Sequence, residues 1–316
     1  MKLPVTQTAP DTGRPLSRPG GGISWALVEG LRPKQWTKNA FVFAALVFTN
    51  NIPLSFQDRH RWHMLGLTMG AFVLFCMVSG AVYLLNDVAD RDQDRVHPQK
   101  RHRPVASGRL PVGVAVFWAV LLGAGGIAIA FRLNLPFGLI TLGYFALQLA
   151  YTFVLKHEVL IDVFAIAAGF VLRAAAGALA ISVPISVWLL ICTLQLALFL
   201  GFGKRRHELI ALAHEARNHR RNLQHYTVNL LDQMMAIVLA ALVVCYAIYT
   251  IMSPTASQHP LLVITLVNVL YGVFRYLYLV QVEHKGGSPE AILMEDRPMQ
   301  INLLAWIAEV LVSFKV

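Results

Sequence analysis

Residues 64–94 read MLGLTMGAFVLFCMVSGAVYLLNDVADRDQD, an uncharged stretch from Met64 to Leu85 that runs directly into Asn86, Asp87, Asp90, Asp92 and Asp94. At a rise of about 1.5 Å per residue, about 20 apolar residues cross the hydrocarbon layer of a bilayer as a helix. The stretch therefore predicts a membrane-spanning helix whose last turn carries a set of acids at the membrane surface.

The rest of the chain repeats the first half of that pattern. Of 316 residues 56% are hydrophobic and 14% are charged, against roughly 25% charged in an ordinary soluble domain. This excludes a soluble protein and predicts an all-α, polytopic membrane protein. Besides 64–86, spans are expected near 39–56, 112–132, 136–155, 160–181, 187–203, 232–252, 259–282 and 299–315, nine in all. The segment 39–56 is interrupted by Thr49, Asn50, Asn51 and Pro53, so a broken or re-entrant helix is an alternative there. Residues 1–22, rich in Pro, Gly, Thr and Arg and without an apolar core, are expected to be a disordered cytoplasmic tail, followed by one membrane domain over 23–316.

The net charge of +10 does not call for nucleic acid, because loops that stay on the cytoplasmic side concentrate Lys and Arg beside anionic lipid. With the N-terminus inside, nine spans place 21 of the 27 basic residues on the cytoplasmic side, and leave Arg59, Arg61, Arg132 and Lys315 outside. This predicts an inner-membrane protein with its acidic loop in the cytoplasm. Cys76, Cys192 and Cys245 fall inside apolar stretches without ligand-like spacing, which supports neither a disulfide framework nor a zinc site. Ala and Gly dominate 165–180, a composition that lets membrane helices approach closely.

The chemistry is expected at the acidic mouth of 64–94. Asn86, Asp90 and Asp94 are spaced i, i+4, i+8, and Asp87 precedes Asp90 by three, so a continued helix puts all four on one face. Like charges at that spacing repel unless a cation neutralises them, and hard oxygen ligands suit Mg²⁺, which bridges carboxylates to substrate phosphates. A solvated loop with Arg91 and Arg95 pairing locally is the competing reading. The position at the mouth of a span, where ionisable groups are mostly functional, favours a diphosphate–magnesium site.

Cationic clusters surround it in the sequence. Lys100, Arg101, Arg103 and Arg109 follow the acids, and Arg gives forked and Lys point-charge contacts to phosphate. A second cluster comprises Tyr151, Lys156, His157, Glu158 and Asp162; a third, Lys204, Arg205, Arg206, His207 and Glu208, either binds an anion or simply flanks a span. Arg173, about three turns into a span, is expected to face a polar cavity and to reach a phosphate or a carboxylate. The loop 214–229, with Arg217, His219, Arg220, Arg221 and His225, reads as an interfacial amphipathic segment ending in Tyr226, Asp232 and Gln233, which are weaker second-site candidates.

The nine-helix plan and the pattern Asn-Asp-x-x-Asp-x-x-x-Asp at 86–94 resemble the UbiA-type superfamily of intramembrane prenyltransferases, over nearly the whole chain after about residue 30. The blocks 31–39 (LRPKQWTKN), 97–104, 151–162 and 203–209 (GKRRHEL) look like the branch of decaprenyl-phosphate phosphoribosyltransferases. Members acting on an aromatic acceptor carry a second Asp-x-x-x-Asp motif. Here Asp162 is followed four places later by Ile166, and the phosphoribosyl branch instead shows a Tyr and a Lys near this position, matched by Tyr151 and Lys156.

The resemblance implies that Asn86, Asp87, Asp90 and Asp94 hold Mg²⁺ and the donor diphosphate. Lys34, Lys100, Arg101 and Arg103 would contact its phosphates, while Tyr151, Lys156 and Asp162 would line the opposite wall. Lys204 and Arg205 would clamp the lipid phosphate or the ribose 5-phosphate. The implied partners are phosphoribosyl diphosphate, a polyprenyl phosphate and the lipid bilayer, with homo-oligomerisation left open; the product would feed arabinose-containing cell-envelope glycans or a related ribosylated lipid. An aromatic prenyltransferase is the main alternative. A transporter, which should show paired interrupted spans around a midplane site, fits poorly with ionisable residues gathered at one face.

Overall fold

The computed structural model describes residues 22–49, 51–53, 56–97, 100–184, 186–212, 225–283, 285, 292 and 295–315, and all regular structure among them is helical. A short helix α1 (Ile23–Gly30) leads through a 3₁₀ segment, Pro33–Phe43, into the single turn and a half of α2 (Ala44–Phe48). Then come α3 (Arg59–Ala89), the short α4 (Arg91–Val96), α5 (Val112–Leu133), α6 (Leu135–Phe153), α7 (Ile161–Ala180) and α8 (Val187–Leu212). The chain continues with α9 (Val228–Met252), α10 (Pro254–Gln258), α11 (Thr265–Gln281) and α12 (Arg297–Ser313).

Among the described residues seven helical stretches are long and apolar enough to cross a bilayer: Arg59–Ala89, Val112–Leu133, Leu135–Phe153, Ile161–Ala180, Val187–Ile210, Val228–Met252 and Pro260–Gln281. Two of the nine expected spans differ. The segment 39–56 is broken: its helical part stops at Phe48, where the Thr49 hydroxyl donates back to the Ala45 carbonyl at 2.7 Å and Asn51 N–H donates to the Leu46 carbonyl at 3.0 Å. Local polar bonds of this kind compete with helix continuation. α12 is a continuous helix of 17 residues, about 25 Å long and so short of a hydrocarbon layer of about 30 Å.

Helix starts follow the local chemistry. Asp58, Asn134, Thr227 and Asp296 each accept a backbone N–H of the first turn of α3, α6, α9 and α12 respectively, satisfying donors that a helix leaves open. α3 has 31 residues, a length of about 46 Å that exceeds the hydrocarbon thickness by about three turns. Its acidic end therefore projects beyond the apolar layer.

Small side chains set the packing around the broken segment. Ala174, Ala176 and Ala178 of α7 are buried, and Gly177 lies against the backbone of Val42, where a Cβ would stand 1.9 Å from the carbonyl oxygen. Phe75, Phe137 and Tyr144 fill the space between α3, α6 and α7, while Phe199, Met235 and Tyr276 do so between α8, α9 and α11. The three cysteines are free thiols.

Candidate active site

α3 ends at Ala89, and Asp90, with φ −92° and ψ 7°, joins it to α4. The backbone still carries Asp90 N–H to the Asn86 carbonyl at 2.9 Å and Asp94 N–H to the Asp90 carbonyl at 2.8 Å. The i, i+4, i+8 spacing thus survives the break. Asp87 and Asp94 are 1% and 3% exposed, whereas Asn86 and Asp90 are half-buried.

Buried carboxylates are costly unless paired, and each of the three is met by a cation. Arg103 Nη1 bridges two of them, at 2.6 Å from Asp94 Oδ2 and 3.3 Å from Asp87 Oδ1. Arg32 also pairs with Asp87, its guanidinium lying 5.0 Å from the centre of the Tyr83 ring. Lys156, from the turn between α6 and α7, donates to Asp90 Oδ1 at 2.7 Å. This contact brings Lys156 of the second cationic cluster to the first acidic one.

The four oxygen-bearing residues do not close into a ready-made metal cage. Among the described residues no three His, Cys, Asp or Glu side chains approach closely enough to hold one metal ion together; the expected four-way convergence gives way to separate carboxylate–cation pairs. Mg²⁺ does not need such a cage, since it takes one or two carboxylates and completes its octahedron with water and substrate phosphate oxygens. Asp87 Oδ2 is buried and accepts no hydrogen bond. A carboxylate oxygen with open lone pairs suits a hard cation, so the donor set fits Mg²⁺.

The remaining candidates divide by position. Lys34, Arg101 and Lys204 are exposed and Lys100 is half-buried. Tyr151 stands close enough to Arg205 to interact with it electrostatically. Arg205, expected as a phosphate clamp, is instead 2% exposed; its Nε faces Asp162 Oδ2 at 3.0 Å, a charge contact rather than an aligned hydrogen bond, and its Nη1 pairs with Glu208. Asp162 is 0% exposed, so the pair joins α7 to α8 instead of facing open solvent. Arg206 and Asp232 form a similar link at 2.7 Å between α8 and α9.

Arg173 is also buried, and its partners among the described residues are neutral side chains rather than the expected carboxylate. Its Nε donates to Asn39 Oδ1 at 2.8 Å and its Nη2 to the Tyr144 hydroxyl at 2.7 Å, with the Tyr144 and Phe170 rings 4.7 and 5.2 Å from the guanidinium carbon. Neutral dipoles and ring faces solvate the cation, and the contacts tie α7 and α6 to the broken segment. Arg173 lies eleven positions beyond Asp162 on α7, roughly 16 Å deeper at helical rise.

Sequence reasoning missed Arg32. In the block 31–39 the sequence points to Lys34, whereas the left-handed backbone of Arg32 (φ 53°, ψ 64°) just before Pro33 accompanies a side chain paired with Asp87. Residues 1–21, Pro98 and 213–224, including Arg217, His219, Arg220 and Arg221, lie outside the described residues.

The model of the UbiA prenyltransferase family matches residues 40–304. The chain belongs to that family. Among its curated family relatives, a protein of Mycolicibacterium smegmatis named decaprenyl-phosphate phosphoribosyltransferase is 32% identical over 311 residues, 95% of this chain and 96% of that one. A protein of Corynebacterium glutamicum with the same name is 34% identical over 297 residues, 92% of this chain and 87% of its own. A solved UbiA homolog from Archaeoglobus fulgidus, bound to GPP and Mg²⁺, superposes with a TM-score of 0.67 at 18% identity, covering 92% of this chain and 100% of that one. It carries the family fold.

Proposed function

We propose that this integral membrane enzyme transfers the 5-phosphoribosyl group of phosphoribosyl diphosphate to a polyprenyl phosphate, decaprenyl phosphate being the substrate in the names of its relatives, and releases diphosphate. The observation that carries this reading is full-length similarity to two decaprenyl-phosphate phosphoribosyltransferases. The site agrees with it: a substrate pair with several phosphate groups requires cations, and Arg32, Arg103 and Lys156 converge on the acidic mouth.

In the reaction the C1–O bond to diphosphate breaks, the diphosphate leaves with the electron pair, and an oxygen of the lipid phosphate forms the new bond to C1. The lipid phosphate is already anionic at neutral pH, so no strong general base is needed. Asp87, Asp90, Asp94 and Asn86 would hold Mg²⁺, which supplies electrostatic stabilisation of the charge that develops on the departing diphosphate. Arg103, oriented by Asp94, and Lys156, held by Asp90, present N–H donors at the same mouth. Arg32 adds a third cation. The exposed Lys34, Arg101 and Lys204 and the half-buried Lys100 would extend that donor field toward the cytoplasm, the side favoured by the positive-inside distribution.

The test supplies purified protein with labelled phosphoribosyl diphosphate, decaprenyl phosphate and Mg²⁺, and in parallel with a polyprenyl diphosphate and 4-hydroxybenzoate. Label should enter the lipid phase in the first mixture and be lost on chelation of the metal. Prenylated product only in the second would reject the substrate assignment.

A further inference from the structure

Leu160 stands at the entry to α7 with φ 66° and ψ −44°, in the positive-φ region that a side chain with a Cβ disfavours. Ile161 N–H donates to the Val159 carbonyl at 2.8 Å, which closes a three-residue γ-turn of the rare, strained hand. Such a conformation persists only where its surroundings hold it. The Leu160 side chain is 36% exposed, so its own packing is weak.

The backbone supplies the hold. Leu160 N–H donates to the Tyr226 hydroxyl at 2.7 Å, across 66 positions of sequence. Tyr226 is 4% exposed, and its hydroxyl lies 3.5 Å from Asp162 Oδ1, whose other oxygen faces Arg205. Burial raises the phenol above its ordinary range, so it stays protonated at neutral pH. Four positions before Leu160, Lys156 reaches Asp90 at 2.7 Å.

We infer that Tyr226 is a positioning residue: its hydroxyl holds the strained turn at Leu160, and that turn sets Lys156 against Asp90 at the substrate site. The inference rests on the reading of Lys156 and Asp90 as parts of that site. It gives the segment entering α9 a role in the reaction through the turn at Leu160.

The test uses Tyr226→Phe, Leu160→Gly and the double variant in the full-length, detergent-purified protein. Two readouts are taken: KM and kcat for phosphoribosyl diphosphate, and hydrogen–deuterium exchange over 154–163. Tyr226→Phe should raise KM about tenfold, the scale of one lost hydrogen bond, with a smaller change in kcat and faster exchange of the turn. Glycine adopts positive φ without strain, so adding Leu160→Gly should return KM to within about threefold of wild type, for the same reason that the turn no longer needs the hydroxyl. Unchanged KM and unchanged exchange in Tyr226→Phe would overturn the proposal, as would a KM defect that Leu160→Gly leaves in place. If the wild type proves inactive on phosphoribosyl diphosphate, the substrate reading fails separately: faster exchange in Tyr226→Phe, slowed again in the double variant, still supports the hold on the turn, and unaltered exchange still rejects it.

Discussion

Arg103 donates to Asp94 at 2.6 Å from a position nine residues downstream, with the same Nη1 3.3 Å from Asp87. One nitrogen thus compensates two buried carboxylates that would otherwise repel each other. Arg103→Ala removes that compensation and, on the proposed function, a phosphate donor with it, and should lower kcat/KM by about a hundredfold or more, the scale of losing a principal electrostatic contact. Arg103→Lys keeps the charge but not the planar fork, and should fall between the two in steady-state transfer assays.

The acids themselves should separate by burial. Asp90→Asn and Asp94→Asn are each expected to reduce turnover by at least about a hundredfold, and to raise the Mg²⁺ concentration needed for half-maximal rate. Asp92 is the internal control: its side chain is 90% exposed and among the described residues it meets Arg95, at 3.7 Å. Exposed pairs of that kind contribute little, so Asp92→Asn should stay within about twofold of wild type in the same Mg²⁺ titration.

The helical membrane architecture and the acidic mouth were legible in the sequence because both depend on local pattern. Apolar length marks α3, α5 to α9 and the stretch containing α11, and the 86–94 spacing survives in the backbone bonds even where the helix breaks at Asp90. What the pattern leaves open is how side chains pair across distant segments. Arg205 and Arg103 look alike as members of basic runs, yet one is buried against Asp162 and the other bridges the acids. Arg32 was passed over for Lys34 because the choice depends on a backbone conformation that charge spacing does not encode. The broken segment 39–56 lay within the range of readings allowed by Thr49 and Pro53, and the structure selects the interrupted one.

Gly177 and the Val42 carbonyl approach so closely that a methyl group cannot be inserted without moving backbone, since a Cβ would lie 1.9 Å from the oxygen. Gly177→Ala should therefore displace the segment bearing Asn39 from α7 and lower the melting temperature of the purified protein by several degrees, the size of effect that overpacking produces. Gly143 of α6 has no heavy atom within 4 Å of its built Cβ, and Gly143→Ala should melt with the wild type. Equal melting of the two variants would mean that the broken segment is not held by this contact.

The Arg205–Asp162 pair offers a distinction between structural and substrate-clamping roles. Removing one partner of a buried ion pair leaves an uncompensated charge, at a cost of about 3–5 kcal/mol. Arg205→Met should accordingly lower stability sharply, because Asp162 is fully enclosed. Replacing both, Arg205→Met with Asp162→Asn, removes the stranded charge and should recover at least about half of the loss, since neutral replacements of buried pairs are often tolerated. Thermal melting of the two single variants and the double variant completes the cycle. If Arg205→Met instead melts like the wild type while the KM for polyprenyl phosphate rises, Arg205 holds substrate rather than helices α7 and α8.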